Sequence, residues 1–188
     1  MCRRFEEALA FHCGPALAGI KAANLVSLSR RDHPRCRELA EEYGALLSPR
    51  KIHLECLCSC GERVLLLVYR EDRLARQLAD PAVAAMLEQA GYPPGGDPAA
   101  MLGHLRRRLE AGGGFPHEMG LFLGYPPEDV RGFWENGGRN YKYSGVWKVY
   151  SDDVEGARAA FRRYSRCRDA ICKRLAGGIS LVQMFRAA

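Results

Sequence analysis

The sequence predicts an α+β fold, an antiparallel sheet of about four strands in ferredoxin-like (split βαβ) order with a large helical insertion before the last strand. Three observations carry this. A β-rich run at 23–29 is followed by a helical stripe, then by two apolar runs joined across Cys60-Gly61-Glu62, which is a hairpin signal. From Glu71 to about residue 138 the spacing of apolar residues is helical. A final β-rich run, Val146–Tyr150, then precedes a long amphipathic helix.

In order along the chain, Arg3–Phe11 is an amphipathic helix with Phe5, Ala8 and Leu9 on one side, and Gly14-Pro15 is expected to break it. Ala23–Ser29 reads as a strand and Arg30-Arg31-Asp32 as the turn after it. His33-Pro34 opens a helix to about Leu47, with Cys36, Leu39, Tyr43 and Leu46 as its apolar stripe. Ile52–Cys58 and Val64–Tyr69 form the hairpin. Asp72–Ala79, Pro81–Gly91 and Pro98–Glu110 each carry a helix start signal and a break.

The densest stretch is residues 115–151. Pro116 suits the first position of a helix, Glu118 its positively polarised first turn, and Gly124 its stop. Pro126-Pro127 begins a second helix that carries Val130, Phe133 and Trp134 and ends at Asn136-Gly137-Gly138. Val146–Tyr150 is then a strand, and Val154 to about Leu175 a helix with Ala157, Phe161, Tyr164, Cys167 and Ile171 at three- and four-residue steps. Neither glycine-rich linker is long enough to divide the chain, so residues 1–188 are expected to form one domain.

The blocks FPHEMGLFLGYPPEDVRGFWENGG and GVWKVYS, together with HCGPALAGIKAANL from His12 to Leu25, resemble a bacterial family catalogued as domain of unknown function 3793. The resemblance covers nearly the whole chain. It implies membership of a family found mainly in anaerobes and implies no activity. Family members often have a cysteine just before the Trp-Lys-Val-Tyr strand; here Tyr143-Ser144 stands there.

Composition excludes some classes. With 47% hydrophobic and 27% charged residues the chain has the balance of a globular protein, so disorder is not expected. No run approaches the roughly 20 apolar residues of a membrane span. Glu6, Glu7, His12 and Gly14-Pro15 interrupt any secretory signal, so a cytoplasmic location is expected, with no membrane partner. The net charge of +6 permits attraction to anions without requiring it. The arginines of 106–108 and of 158–174 read as solvated helix surface, and the central strands offer almost no aromatics for stacking bases, so nucleic acid is not the expected partner.

Eight cysteines in a reducing compartment leave metal binding, redox chemistry or burial as their uses. Alternation places Cys56, Cys58 and Cys60 on one face of a strand, but Ile52 and Leu54 share that face and the spacing fits no common zinc or iron–sulfur motif, so core packing outweighs metal binding. His12-Cys13, at the expected helix break, is a candidate metal or nucleophile pair, with Lys21 nearby to hold an anion. His117-Glu118 is a candidate base and acid, although Leu121 rules out the helical H-E-x-x-H zinc motif. The candidate catalytic residues are therefore Cys13, His117 and Glu118. The candidate ligand contacts are His12, Lys21, Tyr125 and Lys148, and the candidate metal ligands, for iron or zinc, are His12, Cys13 and His117. The leading expectation is a protein that binds a metal, cofactor or small anionic ligand in a redox setting, between the His12–Lys21 loop and the His117–Glu118 turn. The alternatives are an interaction module whose basic helices hold an acidic partner or nucleic acid, and a thiol-dependent enzyme using Cys13.

Overall fold

A computed structural model describes residues 2–95, 97–112 and 114–185, with all their side chains except those of Ser59 and Cys60. The first elements are α1 (Arg3–Leu17), β1 (Ala23–Ser29), α2 (Cys36–Leu47), β2 (Ile52–Cys60) and β3 (Arg63–Arg70). Helices α3 (Glu71–Leu78), α4 (Pro81–Gln89), α5 (Pro98–Ala111), α6 (Met119–Phe122) and α7 (Pro127–Asn136) follow. The chain ends in β4 (Tyr143–Ser144), β5 (Lys148–Val149), α8 (Val154–Ala176) and α9 (Leu181–Phe185). These divide into two compact units, residues 1–74 with 166–188, and residues 75–165, so that α3 and α8 each contribute to both. No helix among the described residues is long and apolar enough to cross a membrane.

The first unit is a three-stranded antiparallel sheet in the order β1-β3-β2. This is a split βαβ: β1, α2 and β2 in sequence, with β3 inserted between the two strands. Val26, Leu28, Ile52, Val64, Leu66 and Val68 supply one face of the sheet, which is buried with Phe5, Leu9, Cys13 and Leu17 of α1 and Leu39, Tyr43 and Leu47 of α2. Ile171 and Leu175 of α8 and Leu181 and Val182 of α9 complete that core. The fourth strand expected at the edge of this sheet is absent from it, so the full ferredoxin-like order is not formed. Lys148–Val149 instead pairs with Tyr143–Ser144 as a separate two-stranded hairpin in the second unit.

Three local expectations are also corrected. Helix α1 runs on through Gly14-Pro15 to Leu17. An added Cβ at Gly14 would lie 3.2 Å from Ile171 Cδ1 and 3.3 Å from Arg168 Cα, so this glycine admits the close crossing of α8 rather than stopping the helix. The Ala16 N–H beside Pro15 donates to Asn24 Oδ1 at 3.0 Å, which satisfies a donor in the turn that the proline perturbs. In α2 the buried stripe passes through Leu47 at 0% exposure, while Leu46 is 41% exposed, because the step from Tyr43 to the core is four residues. In β2 the register shifts between Cys56, opposite Leu66, and Cys58, opposite Leu65. That one-residue bulge breaks the alternation, so Cys56 and Cys58 lie on opposite faces. Cys56 packs at the margin of the core; the Cys60 side chain lies outside the described residues.

The second unit is mostly helical. Asp80 and Asp97 cap α4 and α5 by accepting backbone N–H bonds from Ala82 and Val83 and from Ala100 respectively. Both helices start with proline directly after the cap. Helix α7 ends at Gly137, whose φ of 56° gives the left-handed turn that closes it. Met86, Leu87, Leu105, Leu121, Phe122, Val130 and Val149 are among its buried side chains.

Candidate ligand-binding site

Within the second unit a cleft of about 600 Å³ is lined by Gln89, Ala90, Arg108, Phe115, His117, Glu118 and Trp134, among others. Its floor is an ion pair. Glu118, one residue before α6, is only 2% exposed, and its Oε1 lies 2.6 Å from Arg108 Nε. The same oxygen accepts a 3.1 Å hydrogen bond from the Tyr92 hydroxyl.

Local structure explains why these groups meet. Gly91, with φ of 88°, ends α4 and turns the chain so that Tyr92 is buried, with its ring 4.3 Å from His104 and 5.7 Å from Phe122. Arg108 stands one turn beyond the buried Leu105 of α5, at the inner edge of that helix. Its Nη1 donates to Ala90 O at 2.8 Å, so one guanidinium ties the end of α4 to the start of α6.

The electrostatics follow from this packing. Burial pushes the Tyr92 phenol well above its ordinary pKa, and the Glu118 carboxylate adds in the same direction, so Tyr92 remains a hydrogen-bond donor. Burial, then Arg107 and Arg108, push His104 down, which keeps it neutral at pH 7. The Arg108 side chain is 42% exposed, and its Nη2 has no partner among the described residues. The cleft therefore presents a cationic edge held in a fixed orientation by a buried carboxylate and a backbone carbonyl. His117 is exposed, with its ring 5.1 Å from and edge-on to Phe133, and Phe115 is 53% exposed.

The other expected contacts are placed differently. Lys148 Nζ donates to Gly138 O at 2.6 Å and sits 4.9 Å from the centre of the Tyr141 ring, so it ties the hairpin to the end of α7. The Tyr125 hydroxyl donates to Val146 O at 3.2 Å, and burial raises its pKa to about 12. In the first unit His12 is exposed while Cys13 is fully buried in the core, so these neighbours in sequence point apart. Burial raises the Cys13 thiol to about 12, moderated by Lys21, and lowers the buried Lys21 ammonium to about 8, moderated by Cys13. His12, Cys13 and Lys21 belong to one unit and His117 and Glu118 to the other. Among the described residues no group of three or more His, Cys, Asp or Glu side chains is arranged to hold a metal ion.

A second buried carboxylate organises the hairpin. Asp129, 2% exposed in the first turn of α7, accepts hydrogen bonds from Trp147 Nε1 at 2.7 Å and from the Tyr150 and Ser151 N–H groups at 2.8 Å each. Trp147 packs edge-on to Phe161 at 4.4 Å and against Tyr125 at 5.2 Å.

Sequence reasoning named His117 and Glu118 but missed Arg108, Tyr92 and Asp129. Arg108 and Asp129 carried a faint signal. Arg108 lies three residues after Leu105 and seven after Met101, on the apolar side of its helix, and Asp129 lies four before Phe133.

The family model described as protein of unknown function (DUF3793) matches residues 9–185 of this chain. No curated protein and no solved structure matches it.

Proposed function

The chain belongs to the DUF3793 family, and from that premise we propose that it is a binding protein whose cleft in the second unit takes a small molecule by an anionic group. The observation that carries this reading is the Arg108 guanidinium, 2.6 Å from a carboxylate that is 2% exposed, with its remaining edge at a cleft of about 600 Å³. A guanidinium already fixed by its neighbours loses little freedom when an anion arrives, and its planar fork suits carboxylate or phosphate. A ligand, rather than iron or zinc, is the occupant that this donor set favours. A cytoplasmic setting goes with this reading, since seven described cysteines are all free thiols. Cys13 as a nucleophile has the least support, because a thiol buried in the core with a pKa near 12 stays protonated.

Calorimetric titration of the full chain with inorganic phosphate and with benzoate tests the proposal. At least one should bind, and Arg108→Gln should weaken it about 10- to 100-fold, the worth of a charge-assisted hydrogen bond. Equal affinity in the variant, or no binding of these anions or of phenyl phosphate, would remove the site.

One observation favours a second reading, a module that holds an acidic partner. The first unit carries 17 Lys and Arg against 11 Asp and Glu, while the second carries 11 of each, so the net charge of +6 resides in the first. Binding of that kind would weaken steeply with added salt.

A further inference from the structure

We propose that the ligand of this cleft is a planar aromatic or heteroaromatic ring bearing one carboxylate or phosphate, an inference that rests on the anion site proposed above. The cleft is two-sided in its chemistry. Arg108 and Glu118 form a polar floor whose charges cancel, leaving the Nη2 edge of Arg108 as the group still open to a partner among the described residues. Around that floor stand the rings of Phe115, His117 and Trp134. A bare inorganic anion would meet the arginine and leave those rings in water. A neutral ring would cover them and leave the guanidinium edge without its anion.

Phe115 is the informative residue. It is 53% exposed on the lining of a concave site, where a large ring keeps its apolar face wet unless something stacks on it. The backbone before it turns through Gly112 and Gly114, with φ of 73° and 107°, and an added Cβ at either would meet nothing within 4 Å. These glycines therefore serve the course of the chain, setting where Phe115 stands, and are not there to make room for packing. Gln89 adds a neutral donor and acceptor at the lining, suited to a ring heteroatom or substituent. The volume, about 600 Å³, is that of a site for a ring-sized ligand and exceeds what an inorganic ion fills.

Four probes separate the possibilities in titrations of the full chain, read by heat and by tryptophan fluorescence: phenyl phosphate, benzoate, inorganic phosphate and benzyl alcohol. The expected result is that phenyl phosphate or benzoate binds at least about tenfold more tightly than inorganic phosphate or benzyl alcohol, as ring stacking added to an anion contact requires. Whichever of the two binds better distinguishes phosphate from carboxylate. Phe115→Ala should weaken the ring-bearing anions about tenfold and leave inorganic phosphate unchanged, with Phe115→Leu intermediate. Inorganic phosphate binding as tightly as phenyl phosphate, with no effect of Phe115→Ala, would overturn the ring and leave the anion site standing. Benzyl alcohol binding as tightly as benzoate would overturn the anion requirement. No binding by any probe would overturn both.

Discussion

Asp129 and Trp147, eighteen residues apart, meet through a 2.7 Å hydrogen bond from the indole N–H to a carboxylate that is almost wholly buried. The other carboxylate oxygen takes the backbone N–H groups of Tyr150 and Ser151, so one side chain on α7 fixes both ends of strand β5. Asp129→Asn keeps the shape but sets an amide donor against either the indole N–H or the two backbone donors. It should cost about 1–3 kcal/mol, the penalty of a buried donor left unpaired. Trp147→Phe in the same chain should recover part of that loss. A double-mutant cycle by urea unfolding measures it, and strictly additive losses would show that the two residues are not coupled.

Gly132 lies where the Tyr150 ring passes over α7: an added Cβ would overlap Tyr150 Cγ and sit 2.5 Å from its Cβ. Alanine normally favours a helix interior over glycine by about 1 kcal/mol. Here Gly132→Ala should instead lower stability by about 1–3 kcal/mol, as overpacking does. Tyr150→Gly combined with it, which removes both the ring and the Tyr150 Cβ, should relieve the clash. A rise in melting temperature for Gly132→Ala alone would mean the ring does not cross there.

The pH dependence of stability should have two slopes. Burial lowers Lys21 from 10.5 to about 8. Between those values the unfolded chain holds a proton that the folded chain lacks, so stability rises with pH. Burial raises Cys13 from 9.0 to about 12, and there the folded chain holds the extra proton, so stability falls as pH rises. Tyr43, Tyr92 and Tyr125, all raised by burial, add to that fall above pH 10. Urea midpoints should therefore climb from pH 7.5 to about 9 and drop beyond about 10. Lys21→Met should flatten the climb and Cys13→Ala should soften the drop. A wild-type profile flat from pH 7.5 to 9 would show that Lys21 is hydrated.

What the sequence disclosed was what neighbours in sequence decide. Strand β1 and helix α7 lie where their propensities and end signals put them, because Gly137 and Pro126-Pro127 act within one turn of their own positions. The hairpin of β2 and β3 was legible for the same reason. The partner of Val146–Tyr150 was not. A short β-rich run does not say which edge it will join, and Tyr143-Ser144, five residues upstream of Lys148-Val149, was the nearer choice. Gly14-Pro15 misled because Gly14 serves the close approach of Arg168 and Ile171, over 150 residues away, and Asn24 takes the Ala16 N–H in the turn that Pro15 perturbs. In the cleft, His117, one of five histidines, and its neighbour Glu118 stood out at the start of a dense stretch. Arg108 was hidden among three consecutive arginines, and only packing distinguishes it from Arg106 and Arg107.

The extra residue at Leu57 also changes what an oxidant can do to strand β2. Had the alternation held, Cys56 and Cys58 would have stood side by side on one surface, where a sulfenic acid formed on one has a thiol within reach to condense with. With the bulge, the sheet itself stands between them. Cys56 and Cys58 are thereby kept from cross-linking to each other, and the strand retains both thiols two positions apart.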